Sequence, residues 1–181
     1  AIISRACSPS GMLRPESRGH VKITSPNPRE HPEILFNYLK EEADIRVLRD
    51  GTRLTREIFA QKAFDPFRGT ELWPGQENQS DEELDAWIRE TAESSYHPSC
   101  SCKMGAANDS MAVVSPELKV HGLENLRVID ASVMPDVVSG NLNAPTIMIA
   151  EKAADMILGN TPPAPSEAPV WVHPNWEHEQ R

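Results

Sequence analysis

The sequence predicts a mixed chain, α+β with an α/β element, and three stretches carry that expectation. Leu126 to Gly159 reads as a strand, an irregular segment and then a helix; Ser80 to Ser94 carries a self-capped helix; Gly19 to Ser25 alternates like a half-buried strand. With 181 residues, 39% hydrophobic and 25% charged, the composition is ordinary for a globular protein and sufficient for a real core. A formal net charge of -9 argues against nucleic acid and against an electrostatic hold on anionic lipid, while suiting a cationic ligand. Three cysteines make no disulfide framework, which fits a reducing compartment. Glu151, Lys152 and Asp155 interrupt the best apolar run, so no stretch has membrane-spanning length.

In chain order, AIISRACSPSGMLRPESRGH shows no initiator Met, no signal-peptide pattern and little periodicity, and is expected to begin in mid-chain. Val21 and Ile23 then face one way and His20, Lys22 and Thr24 the other, until SPNPREHP ends the strand. Ile34, Leu35, Phe36, Tyr38 and Leu39 form a short apolar cluster. From Glu41 to about Phe64 the pattern is helical, with Ile45, Leu48, Leu54, Ile58 and Phe59 as apolar contacts and Gly51 as a candidate break. Ser80 and Glu83 have capping-box spacing, Asp81 and Glu82 suit the positive end of the dipole, and Leu84, Trp87, Ile88 and Ala92 share a face. That helix must end before Pro98. The loop YHPSCSCKMG follows, then a turn at Asn108 and Asp109, with short strands expected at Met111–Val114 and Lys119–Val120.

Leu126, Val128 and Ile129 supply a buried strand that Asp130, Ala131 and Ser132 terminate. The next helix is expected to start close to Asn143, with Asn as N-cap, Pro145 tolerated in the first turn and Gly159 as the stop. Its narrow polar face, Glu151, Lys152 and Asp155, predicts burial over most of its circumference. Five prolines exclude regular structure from the final segment, NTPPAPSEAPVWVHPNWEHEQR. Val170, Trp171, Val172 and Trp176 predict that this tail lies extended against a surface, in this chain or another.

Several polar residues invite chemistry. His97 sits between an aromatic residue and a proline directly after a helix, where a fixed imidazole can exchange a proton near neutral pH. A lone His at a helix end is more commonly a surface or capping residue, and both readings stand on the residues alone. His97, Cys100, Cys102 and His121 suggest zinc, but a single residue between the cysteines makes joint tetrahedral ligation awkward, and small thiols packing a loop are the commoner case. Cys7 has no partner motif. Asn141 and Asn143 flank a helix start whose free N–H groups and partial positive charge suit an acceptor, or simply belong to a solvent loop. The face of Tyr96 can hold a quaternary ammonium group by cation–π attraction, although most single tyrosines only pack.

With YHPSCSCKMG and ENLRVIDASVMPDVVSGNLNAPTIMIAEKAAD both read, the chain resembles the C-terminal part of the glucose-methanol-choline (GMC) oxidoreductase family, its choline-oxidising members above all. SRGHVKITSPNPREHP, LTREIFAQKAFDPFRG and SDEELDAWIRETAESSYHPSC extend the likeness over nearly the whole chain. The resemblance implies a C-terminal fragment of a two-domain flavoprotein. Residues 1–120 would be part of the substrate-binding domain with the catalytic His loop, 121–160 the returning strand-turn-helix of the FAD-binding domain, and 161–181 a Pro-rich tail. It implies FAD as cofactor and oxidation of choline to betaine aldehyde and on to the osmoprotectant glycine betaine. Electrons would pass to a quinone-type membrane acceptor rather than to oxygen, which places the protein peripherally at a bacterial or mitochondrial inner membrane. By matched position His97 and Asn141 would be the catalytic pair. Asp130 and Ala131 would lie by the flavin's ribityl-pyrophosphate chain, and Asn143, Pro145 and Thr146 by its pyrimidine edge, with Tyr96 as one wall of the trimethylammonium site. No G-x-G-x-x-G follows a strand here, so the ADP half of FAD would depend on an N-terminal region this sequence lacks, and the chain alone is expected to be inactive. Two alternatives come with this reading: a relative oxidising another alcohol, and a non-enzymatic Cys/His metal-binding module.

Overall fold

The computed structural model describes residues 11–175, 177 and 178. Strand β1, His20–Lys22, pairs antiparallel with β2, Glu33–Leu35, in the register His20 to Leu35. Gly19 allows this closure: a Cβ there would lie 1.8 Å from the Leu35 carbonyl oxygen. Helix α1, Glu42–Phe59, then runs unbroken through Gly51, and a 3-10 turn at Lys62–Phe64 replaces the rest of the expected helix. Glycine at mid-helix costs about 1 kcal/mol, and the guanidinium groups along α1 supply tertiary bonds that outweigh it. Arg49 pairs with Asp85 at 2.7 Å, Arg53 with Asp81, and Arg56 with Glu71 and the carbonyls of Gly75 and Asn78.

Helix α2, Asp81–Thr91, begins with the expected capping box: the Glu83 amide donates to the Ser80 hydroxyl and the Ser80 amide to the Glu83 carboxylate. It ends three residues short of Ser94, well clear of Pro98. Leu84 and Ile88 are buried, and Ile88 joins Leu39 and Ile45 in a small core against which Leu48, Trp87 and Met12 pack. Leu54 and Ile58, expected as contacts, are about half exposed. The Asp44 carboxylate fixes the segment before β1 to α1, accepting from the amides of Glu16 at 2.8 Å and Ser17 at 2.9 Å.

A second core spans residues 100–153, with Val114, Leu118, Val133, Met134, Leu142, Ile149 and Ala153 buried together. It joins residues on both sides of position 120. The short strands expected at Met111–Val114 and Lys119–Val120 are single bridges, Met104 to Val114 and Val114 to Val120. The strand expected at Leu126–Ile129 is likewise reduced to one bridge, Lys119 to Arg127, and Leu126 is half exposed. The segment beside it supplies only a short pairing, with the Val128 amide donating to the Leu118 carbonyl and the Val120 amide to the Leu126 carbonyl, too little to extend the bridge into a strand.

Helix α3, Asn143–Leu158, starts and stops where expected, with Gly159 in the left-handed conformation at φ 71°. Two expectations about it need correction. Its N-cap is Leu142 and Asn143 is the first helical residue, because the Leu142 side chain is drawn into the core. Its burial is confined mainly to Ile149 and Ala153, while Ile147, Met148, Ile157 and Leu158 are exposed, because only one face meets the second core. The tail has no regular structure, and Val170, Trp171 and Val172 are more than half exposed rather than covered by this chain. Trp171 meets the His173 ring edge-on at 5.8 Å. Trp176 and Cys7 lie outside the described residues.

Candidate functional site

The YHPSCSCKMG loop is seated on the turn that follows Ile129. The amides of Cys100, Cys102 and Met104 donate in succession to the carbonyls of Ala131, Ser132 and Val133, at 3.3, 2.9 and 2.8 Å. Those acceptors form a 3-10 turn, Ala131–Val133, capped by the Asp130 carboxylate, which accepts from the Ser132 amide at 2.8 Å. Local sequence thus explains the turn, and the outward carbonyls of the turn, the Ala131 one shared with the Met134 amide, explain the position of the loop. Sequence reasoning passed over this seat because backbone amides leave no residue signature; the small residues of CSC are its one trace.

Upstream of the seat the backbone is strained. Tyr96 and Cys100 occupy the left-handed region at φ 60° and 69°, bracketing His97. For a bulky residue this conformation costs about 1–2 kcal/mol, and such strain concentrates at functional sites. Tyr96 is 80% exposed, so its ring face is open to a ligand. His97 is exposed, and its side chain makes no hydrogen bond among the described residues.

Asn141 leaves the same core from the other side, one residue before buried Leu142, and is exposed. Cys100, three residues beyond His97, also packs on this core. His97 and Asn141 are thus both exposed and lie three residues and one residue from members of one core, Cys100 and Leu142, with no hydrogen bond between them. At the start of α3 no side chain caps the helix, which leaves the exposed Asn143 and Ala144 amides outside the helical ladder. Pro145 has no N–H to offer. The Thr146 amide and hydroxyl both donate to the Leu142 carbonyl, at 3.0 and 2.7 Å, so Thr146 stiffens the first turn and retains only lone pairs for another group.

An open groove of about 560 Å³ runs between Val137–Ser139 and the first turns of α3. Its lining includes Pro145 but neither His97 nor Asn141, so it adjoins the helix start rather than the proton-transfer candidates. Beyond the seat, Lys103 pairs with Asp109 at 2.9 Å, and the lysine together with the Met111 amide holds the Asp109 carboxyl below its usual range. His121 Nε2 lies 3.2 Å from the Gly105 carbonyl. No group of three or more His, Cys, Asp and Glu converges as a metal site among the described residues. No helix among them is long and apolar enough to cross a membrane.

The family model described as GMC oxidoreductase matches residues 15–150. The chain is 57% identical over 171 residues to the oxygen-dependent choline dehydrogenase of Photobacterium profundum, covering 94% of this chain and 30% of that protein. It is 60% identical over 162 residues to the oxygen-dependent choline dehydrogenase of Paraburkholderia phymatum, covering 90% of this chain and 28% of that protein. Among solved structures it is similar to an FAD-dependent oxidoreductase from Chaetomium thermophilum, with TM-score 0.75 and 36% identity over 81% of this chain and 25% of the other. The chain thus spans less than a third of the length of these relatives, and the His97 loop, the Asp130 turn and the first half of α3 fall inside the segment that the family model matches. On this agreement of sequence and fold, the chain belongs to the GMC oxidoreductase family.

Proposed function

We propose that this chain is the C-terminal part of an FAD-dependent choline dehydrogenase, active in the full-length protein, that oxidises choline to betaine aldehyde and onward to glycine betaine. The observation that supports the reading is the seating of the His97 loop on the Asp130 turn, with Cys100 and Leu142 packed in one core beside the open start of α3. The shared identity with proteins named as choline dehydrogenases supports the substrate.

Alcohol oxidation needs a hydroxyl proton removed while a hydride leaves the adjacent carbon. FAD, when bound, supplies the hydride acceptor at N5. His97 takes the hydroxyl proton, and its unbonded imidazole, three residues before the seated Cys100, suits that role. Asn141 donates its side-chain amide to the alkoxide oxygen, stabilising charge as it develops. Tyr96 turns a ring face toward the trimethylammonium group. The fit to a flavin edge rests on the uncapped start of α3: the Asn143 and Ala144 amides and the positive end of the helix offer donors to an anionic acceptor. Asp130 and Ala131 would hold the ribityl-pyrophosphate chain, and Pro145 and Thr146, the latter bonded to the Leu142 carbonyl, would present the first turn of α3 to the flavin. Residues 1–120 then belong to the substrate-binding domain, 121–160 to the FAD-binding domain and 161–181 to the tail, with an N-terminal region completing both sites. The electron acceptor is a membrane quinone, at a peripheral location on an inner membrane. The relatives' name specifies oxygen, and reoxidation of the reduced protein by quinone and by oxygen, compared separately, distinguishes the two.

The test is His97→Ala in the full-length protein. Choline-dependent flavin reduction is expected to fall by about a hundredfold or more with FAD still bound. Retained fast reduction would remove His97 from the mechanism. Equal turnover of choline and of its neutral analogue with carbon in place of nitrogen would overturn the choline assignment in favour of another alcohol.

A further inference from the structure

Cys100 and Cys102 are both free thiols, both partly exposed, and separated by one residue. Chain geometry limits their Cα separation to about 7 Å, and the turn at Ser101–Cys102 shortens it toward the disulfide range of about 4.4–6.8 Å. We propose that Cys100 and Cys102 are a redox modification site, a dithiol that peroxide converts to an intramolecular disulfide, and that this bond unseats the His97 loop.

The chemistry balances without further reagents. One thiol attacks hydrogen peroxide, breaking its O–O bond to give a sulfenic acid and water; the second thiol then attacks that sulfur, forming the S–S bond and releasing a second water. The two sulfurs lose two electrons and the peroxide gains them. Closing the bond must bring the two Cβ atoms to about 3.8 Å. The backbone that moves to allow this carries the Cys100 and Cys102 amides, the ones bonded to Ala131 and Ser132. Cys100 already sits at φ 69°, so the segment has little slack. A strained, partly exposed disulfide of this kind is readily reduced again, which makes the change reversible. His97, three residues before Cys100, shifts with the loop.

The full-length protein is treated with hydrogen peroxide, alkylated, and digested for mass spectrometry without reduction. The peptide containing both cysteines is expected to lose two hydrogens and resist alkylation, and dithiothreitol is expected to restore two alkylation sites. Cys100→Ser and Cys102→Ser should each abolish the mass change. This readout does not depend on the proposed substrate, so it can succeed or fail apart from that reading. Where choline-dependent flavin reduction is present, peroxide should lower it about tenfold or more, as expected for reacting groups displaced on the order of 1 Å, and dithiothreitol should restore it. Sulfinic or sulfonic acid as the only product, a bond from either residue to Cys7 or to another chain, or unmodified thiols would overturn the proposal. A disulfide that forms while flavin reduction stays at full rate would overturn the unseating of His97.

Discussion

Asp44→Asn isolates the anchor that ties residues 16 and 17 to α1. The Asp44 residue is 2% exposed, and its two carboxylate oxygens take the Glu16 and Ser17 amides separately. Burial alone would push this carboxyl up, but the Glu16 amide, the Ser17 hydroxyl and amide and the Arg18 charge together hold it below the usual carboxylate range. Asparagine keeps the shape and one oxygen, so one amide loses a charge-assisted acceptor and faces an NH₂ group. A hydrogen bond to a charged group contributes about 1.5–3 kcal/mol, and stranding its donor falls in the same range, so the expected loss is about 2–3 kcal/mol. For a chain of this size that is a fall in Tm of roughly 4–12 °C. The sign with pH follows from the depressed folded pKa: the wild-type advantage is complete above the unfolded value of about 3.9 and disappears as pH falls through the folded value. Thermal unfolding of both proteins from pH 7 downward, with hydrogen exchange at the Glu16 and Ser17 amides, measures it. A stability difference below about 0.5 kcal/mol at pH 7, or one that does not narrow in acid, would refute the assignment.

Gly19→Ala should separate β1 from β2, since its Cβ meets a backbone carbonyl oxygen that cannot swing aside; exchange of the hairpin amides should rise, and unchanged protection would contradict the expectation. Tyr96→Gly relieves a left-handed tyrosine and should raise thermal stability by about 1 kcal/mol, while in the full-length protein KM for choline rises roughly two- to thirtyfold. A Tyr96→Gly protein with lower stability and unchanged KM would show that the residue serves packing. Ser80→Ala removes the oxygen that receives the Glu83 amide and should cost about 1 kcal/mol in urea unfolding, with fraying seen first at Asp81–Glu83.

Where the sequence was readable, the signal was local. Ser80 with Glu83, the break before Pro98 and the left-handed stop at Gly159 each depend on a few adjacent residues, and each took its expected form. What the sequence did not convey was tertiary. Leu126, Val128 and Ile129 have strand composition, yet pairing depends on a neighbour their own side chains do not specify. The apolar residues of α3 record how much surface favours burial, and only Ile149 and Ala153 find a face of this chain wide enough to receive them. His97 and Asn141 stood out by residue type and Asp130 through the family resemblance, whereas the Cys100 and Cys102 amides that seat the His97 loop did not, because every non-proline residue carries the same amide.

Leu142 occupies two places at once, a core position by its side chain and the N-cap of α3 by its backbone. A capping Asn, Asp, Ser or Thr at that point would need an extended backbone in place of the helical one at φ -77° and ψ -15°, and would need to leave the core. The helix consequently has no side-chain cap, and its leading Asn143 and Ala144 amides keep their affinity for whatever acceptor comes from outside. A ligand bonding there gains donors already aligned by the fold, with no internal partner to displace.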